Sequence, residues 1–245
     1  MGLALAASQL GATFNEAGTA PVVDNFIYVL CGDGCLQEGI SSEACSLAGH
    51  LGLGRLVLFY DDNSITIDGE THLSFTEDVL KRFEAYGWHT QHVADGNNDV
   101  EGLEAAIRAA QAVTDKPSII KVTTTIGLGS SKAGKEEAHG APLGKDDLKR
   151  VKTAFGFDPE ASFVVPDDVK AFYLEAGAAA ARAEAEWHTT FTAYTGKHPA
   201  KAADFTRRIA GAFPDGWMDR LPRFKPTDKA DATRYVGCGT AIASG

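Results

Sequence analysis

Asn25-Phe-Ile-Tyr-Val-Leu-Cys31-Gly32-Asp33-Gly34, with Leu56-Val-Leu-Phe-Tyr60-Asp61-Asp62-Asn63 after it, is the part of this sequence that decides its fold. Each stretch is a short, continuous apolar run that stops at glycine or at acidic residues. That pattern predicts strands buried on both faces, as in a parallel sheet. Between them, Glu38 to Gly52 carries Ile40, Ala44, Leu47, Ala48 and Leu51 at helical spacing. The unit therefore reads strand, helix, strand, with Gly32-Asp33-Gly34 as a tight loop. Downstream the alternation continues. A helix is expected over Glu77 to Tyr86 and a strand over Trp88 to Val93. Asp99 caps a helix with the stripe Val100, Leu103, Ile107, Ala110 and Val113, and Ser118 to Thr124 forms a fourth strand. Upstream, Met1 to Leu10 has the Ala and Leu spacing of a buried helix ending near Gly11. The expected class is α/β, a parallel sheet with helices on both faces.

After Thr125 the character changes. Ile126 to Gly144 holds five glycines and little periodicity, so it reads as a long loop, and a loop of that length is usually functional or disordered. Lys145 to Phe155 reads as a short charged helix. The alanine-rich, acidic stretch from Pro166 to Ala212 reads as two or three surface helices broken near Gly196 and Pro199. Trp217 to Lys229, with Pro222 and Pro226, resembles a linker. The expected organisation is an α/β domain over 1–160, a helical extension of it over 161–220, and a linker over 221–245. No internal repeat is evident.

Composition agrees with a globular chain and narrows its partners. The 245 residues carry 23 Lys and Arg against 33 Asp and Glu, a formal charge of −10, with 44% hydrophobic residues, 26 glycines and 9 prolines. Those proportions exclude a disordered tail or a disulfide-dense miniprotein. An acidic balance without a basic stripe argues against nucleic acid as a partner. No apolar run approaches the roughly 18–20 residues of a membrane span. The opening Met1-Gly-Leu-Ala-Leu-Ala-Ala7 has no basic leader, so no secretory signal is expected. Cys31, Cys35, Cys45 and Cys238 form no C-x-x-C pair and no zinc spacing, which suits reduced thiols in an intracellular compartment.

In open parallel sheets, ligands bind beyond the carboxyl ends of the strands. Three polar clusters fall at such ends: Gly32-Asp33-Gly34, Asp61-Asp62-Asn63 and the loop after Thr124. An aspartate between glycines offers a hard oxygen donor where backbone can approach a ligand closely. An asparagine after the next strand adds a neutral oxygen. Such a pair suits Mg²⁺ held by one or two side chains together with substrate phosphates. Taken singly, each cluster is more often only a turn. Together, with a strand before each, they are much more specific.

The same residues carry a family likeness. Gly32-Asp33-Gly34, then 28 residues, then Asn63 resembles the thiamine diphosphate fingerprint. Gly32-Asp-Gly-Cys-Leu-Gln-Glu-Gly39, Tyr60-Asp-Asp-Asn63, Ile65-Thr-Ile-Asp-Gly69, Tyr86-Gly-Trp88, Thr123-Thr-Thr-Ile-Gly127 and His139-Gly-Ala-Pro-Leu143 resemble the transketolases. The likeness runs from about Gly2 to Arg234. It implies the thiamine diphosphate-binding fold, with residues 1–160 as its diphosphate- and Mg-binding domain. It further implies that Asp33, the Asn63 side chain and the Ile65 carbonyl hold Mg²⁺ or another divalent cation such as Ca²⁺. Gly34 would lie against the diphosphate, and His139 would reach the cofactor and the reacting end of the substrate. Ile65 reads equally as a core residue. A histidine in a glycine-rich loop, taken alone, is more often an exposed bystander. Glu38 reads as a helix-start carboxylate or as part of a subunit interface.

The activity implied is transfer of a two-carbon ketol unit from a ketose phosphate to an aldose phosphate, as in the pentose phosphate pathway and the Calvin cycle. Substrates such as xylulose 5-phosphate and ribose 5-phosphate, and a homodimer in the full-length form, go with it. The expected compartment is the cytoplasm, with the plastid as the alternative. The chain begins inside the family pattern, and Tyr235 to Gly245 does not resemble its continuation, so truncation at both ends is expected. The family's pyrimidine-binding domain would then be supplied elsewhere. Two other readings stand beside it: a cofactor-binding module of a split transketolase, and an inactive fragment.

Overall fold

Four strands pair in parallel: β1 (Ile27–Gly32), β2 (Leu56–Asp62), β3 (His89–Val93) and β4 (Ser118–Thr123), in the spatial order β1-β2-β4-β3. The structure is a computed structural model and describes residues 1–221; the linker expected over 221–245 lies, apart from Leu221, outside the described residues. Within those residues, the contacts separate two compact units. One comprises Met1–Asn15 and Val23–Arg182, the other Glu16–Val22 and the chain from Ala183 on.

Strand alternation splits the sheet into two faces. On one, Leu56, Leu58, Tyr60 and Ile119 meet residues of α1 (Gly2–Phe14), α2 (Asp33–Gln37), α3 (Gly39–His50) and α4 (Val79–Ala85). Phe83, fully buried, sits edge-on to Trp88 with ring centroids 5.0 Å apart. The Trp88 indole N–H donates to the Cys45 carbonyl at 2.8 Å. Gly49 lets α3 approach the end of α4, since a Cβ there would lie 1.9 Å from the Tyr86 carbonyl oxygen. On the other face, Val57 and Ile120 pack with Ala106 and Ala110 of α5 (Val100–Ala112), whose start is capped by the Asp99 carboxylate accepting from Gly102 N–H. The α/β class with helices on both faces is borne out.

Three local expectations need correction. β1 is buried on one face only: Ile27, Val29 and Cys31 turn toward the core, while Tyr28 and Leu30 are 47% and 84% exposed. β1 is an edge strand, and α5 covers the other face over β3 and β4 and reaches β1 at its rim, where the Gln111 amide donates to the Tyr28 hydroxyl at 2.6 Å. Gly32-Asp33-Gly34 is not a tight loop. Gly32 ends the strand in extended conformation and Asp33 starts α2 directly. α1 runs on to Phe14 and is mostly accessible, with only Ala4 and Phe14 buried, because a single edge of it meets the core.

Beyond β4, Ile126 to Gly144 contains one 3₁₀ turn, Glu136–Ala138, and is otherwise irregular. α6 (Lys145–Ala154) follows. The alanine-rich stretch makes two helices, α7 (Asp167–Lys197) and α8 (Pro199–Ile209), and α8 opens on proline, which needs no N–H partner there. In the second unit Trp187 stacks on Phe191 at 5.1 Å, and Phe191 meets Phe205 at 5.4 Å. Cys31, Cys35 and Cys45 are free thiols. Among the described residues no helix is long and apolar enough to cross a membrane.

Candidate functional site at the carboxyl end of the sheet

The parallel register sets Gly32 beside Asp61 and Asp62 beside Thr123, so the expected polar clusters do emerge at one end of the sheet. Side-chain alternation along β2 then divides them. Phe59 and Asp61 face a cleft of about 480 Å³, otherwise lined mainly by Leu30, Cys31, Leu103 and Val122. Tyr60 and Asp62 face a polar cavity of about 320 Å³ with Asp33, Glu77, Asp78 and Lys121. Asp61 accepts from the Thr124 hydroxyl on its own side.

Asp33 lines the second cavity. It is only 3% exposed, an unusual position for a carboxylate. Its Oδ1 accepts from the Tyr60 hydroxyl, while Oδ2 is buried with no hydrogen-bond partner. Burial raises its pKa above the ordinary carboxylate value. The Tyr60 hydrogen bond opposes that rise, and the charges of Asp62 and Asp61 add to it. The Tyr60 hydroxyl is itself held in the protonated state, first by burial and then by its bond to Asp33. Asp62 is fixed from the far side, with Lys121 Nζ at 2.9 Å and the Thr123 hydroxyl donating at 3.1 Å to Oδ2.

Asn63 lies one residue beyond β2. Its Oδ1 accepts from the Ile65 N–H at 3.0 Å, closing a side-chain turn in which Ser64 takes φ +61°. The turn is fastened by Thr71 N–H donating to the Ser64 carbonyl at 2.9 Å. The Ile65 side chain is 5% exposed and belongs to the core, so its residue type answers to packing. Gly34 is exposed, and a Cβ there would meet nothing within 4 Å, so packing inside the chain does not call for glycine. His139 is exposed and follows the 3₁₀ turn, its backbone N–H on the Glu136 carbonyl at 2.8 Å. Glu38 precedes α3 without a side-chain cap bond. Ser41, inside the first turn of α3, donates its hydroxyl to the Glu38 carbonyl at 2.7 Å.

The fold thus brings Asp33, Gly34, Asn63 and Ile65 to one end of one sheet, and leaves His139 on the loop beyond β4 without side-chain contact to Asp33 or Asn63. Among the described residues no three His, Cys, Asp or Glu side chains are grouped to hold a metal. A set made of one carboxylate, one amide and one backbone carbonyl would not form such a group, yet all three are the oxygen donors a hard cation takes. The orphan Oδ2 of Asp33 fits that role. In the sequence, Tyr60 and Asp62 fell within the motifs without either being given a place in the site, and Lys121 was passed over. Their signal was the period-2 pattern of β2, which sets Tyr60 and Asp62 on the side where Asp33 lies.

Known proteins resemble the chain over most of its length. Residues 1–214 match the family model described as "Transketolase, thiamine diphosphate binding domain". Transketolase 1 of Saccharomyces cerevisiae is 50% identical over 240 residues, covering 96% of this chain and 35% of that protein. The chloroplastic transketolase of Zea mays is 47% identical over 247 residues, covering 100% of this chain and 36% of that protein. The crystal structure of a Pichia stipitis transketolase in complex with sedoheptulose-7-phosphate superposes with a TM-score of 0.87 at 48% identity. It covers 93% of this chain and 34% of that one. The chain spans about a third of the length of the relatives it matches.

Proposed function

The chain belongs to the transketolase family, whose thiamine diphosphate-binding domain it matches, and on that premise we propose that it anchors thiamine diphosphate through a divalent cation for ketol transfer between sugar phosphates. The observation that carries this reading is the buried Asp33 carboxylate, with one oxygen spent on Tyr60 and the other unpartnered at the carboxyl end of a parallel sheet. In this reading Asp33 Oδ2, the Asn63 side-chain oxygen and the Ile65 carbonyl hold Mg²⁺, or Ca²⁺ in its place. Gly34 leaves open space for the diphosphate. His139 serves the reacting end, where an imidazole can hold or give a proton near neutral pH.

The bound cofactor supplies the electron sink that breaking a carbon–carbon bond beside a carbonyl requires. The chain's own work is to bind and orient. Asp33 places negative charge against the cation, and the Asn63 turn, with its side-chain oxygen on the Ile65 N–H, fixes the backbone beside it. The donor is a ketose phosphate such as xylulose 5-phosphate, and the acceptor an aldose phosphate such as ribose 5-phosphate. Turnover belongs to an assembly that includes a pyrimidine-binding domain and, in the full-length form, a second subunit. The cytoplasm is the proposed compartment and the plastid the alternative.

The test is binding. Titrating thiamine diphosphate into the chain with Mg²⁺, followed by calorimetry, should give a saturable isotherm that disappears when Mg²⁺ is chelated. Asp33→Ala should lose it. An Asp33→Ala isotherm equal to that of the native chain would remove the cation assignment.

A further inference from the structure

We propose that Tyr60 is a positioning residue for the cation site, its buried hydroxyl holding Asp33 Oδ1 so that Oδ2 alone is presented to the metal. The inference rests on the cation-binding reading of Asp33 and goes one residue deeper. Tyr60 is 2% exposed on β2, where a phenylalanine would fill the same space without burying an oxygen. A buried hydroxyl is retained at a cost unless it has a partner. Here its proton has two candidate acceptors: Asp33 Oδ1 at the shorter separation and Asp62 Oδ1 at 3.2 Å. Asp62 already receives Lys121 and Thr123 on its other oxygen. It therefore needs the Tyr60 proton less than Asp33 does, which has no other side-chain donor.

The consequence is geometric. A carboxylate turns about a broad, two-fold terminal torsion. With one oxygen tied to a phenol that the core holds rigidly, the plane of Asp33 is set before any ligand arrives. Mg²⁺ demands near-ideal octahedral geometry and favours a single oxygen per carboxylate, whereas Ca²⁺ accepts both. Tyr60 therefore favours the smaller ion by keeping Asp33 one-handed. The chain Lys121–Asp62–Tyr60–Asp33 extends that restraint across the sheet to β4.

The experiment compares Mn²⁺ binding, read by the loss of free-ion electron paramagnetic resonance signal with thiamine diphosphate present, for the native chain, Tyr60→Phe and Asp33→Asn. Mg²⁺ and Ca²⁺ are then used as competitors. Tyr60→Phe should fold, as judged by circular dichroism, and should bind Mn²⁺ roughly 10–100-fold more weakly, as outer-shell partners of metal ligands typically do. The Mg²⁺-over-Ca²⁺ preference should fall in the same variant, a change that loss of packing alone would not produce. Native affinity and native ion preference in Tyr60→Phe would overturn the role of Tyr60 while leaving Asp33 in place if Asp33→Asn binds nothing. Native-like binding by Asp33→Asn, or no binding by the native chain, would instead overturn the cation site and this inference with it.

Discussion

Asp33→Asn should make the metal-free protein more stable and the metal-loaded protein less stable than the native chain. The native carboxylate is 3% exposed, has one oxygen without a partner, and feels the like charges of Asp62 beside it and Asp61 across the strand. An unpaired buried acceptor costs about 1–3 kcal/mol, and more when charged. Asparagine keeps an oxygen to accept from Tyr60 and replaces the orphan oxygen with an amide nitrogen. That group is also unpaired, but it carries no charge. The net relief should be about 1 kcal/mol, which for a protein of this size moves the midpoint of melting up by roughly 2–4 °C.

Ligand binding reverses the order. At about a hundred times Kd, a ligand that binds only the folded state adds about 2.7 kcal/mol. The native chain should gain this with Mg²⁺ and thiamine diphosphate and the variant should not, leaving the native chain ahead by about 2 kcal/mol. Differential scanning fluorimetry in chelator and in saturating Mg²⁺ with thiamine diphosphate reads both arms. An Asn variant that melts below the native chain in chelator would show that the buried charge is not a net burden. Equal upward shifts on adding ligand would show that Asp33 does not carry the cation.

Phe83→Ala removes a fully buried ring from between Tyr86 and Trp88 and should cost about 3–5 kcal/mol in urea unfolding, a loss below 1 kcal/mol contradicting the packing described here. Burial pushes the Cys31 thiol up to about 12, with the neighbouring Cys35 and Cys45 adding to it, while Cys35 is exposed. Because only about one Cys31 thiol in ten thousand is ionised at pH 8, iodoacetamide should label Cys35 first, and peptide mass spectrometry showing comparable rates would refute this. Asp204 is held below the usual carboxylate range, first by its hydrogen bond to Arg207 and then by Arg208. A lowered folded-state value means the stabilisation is present above about pH 4 and is lost as pH falls through the folded value, so Asp204→Asn should cost about 0.5 kcal/mol near pH 7 and progressively less as the pH falls below about 4. Added salt should shrink the difference at pH 7, since the pair is partly exposed.

The strands and their parallel pairing were legible because apolar runs of five or six residues with polar ends occur in few other settings, and Asp99 and Pro199 announce their helices by cap chemistry. The open face of β1 was not legible. Tyr28 and Leu30 read as core because hydrophobicity reports what a residue suits and not which neighbour covers it. The same limit applies to Gly32-Asp33-Gly34, where two glycines suggest a turn although the chain passes straight from strand into α2. At the site, residue types pointed to Asp33 and Asn63, but which oxygen is spent and which is left depends on contacts between residues 27 positions apart, such as Tyr60 with Asp33.

The triplet Asp61-Asp62-Asn63 shows why the pattern alone misleads and what the pleat does with it. Three adjacent oxygen-bearing side chains invite a reading as three ligands on one cation. Alternation forbids it while the strand lasts: Asp61 turns to the cleft and Thr124, and Asp62 turns to Lys121 and Tyr60. Each acid is already bound to a partner. Only after β2 ends at Asp62 does the chain escape the two-residue period, and there Asn63 turns its side-chain oxygen onto the Ile65 N–H across Ser64 at positive φ. On the proposed reading, a cation at this end of the sheet takes Asp33 Oδ2, which is buried without a hydrogen-bond partner, together with neutral donors from the turn. One negative charge with neutral oxygens leaves a divalent cation with charge still to be met, which is the condition for attracting a diphosphate.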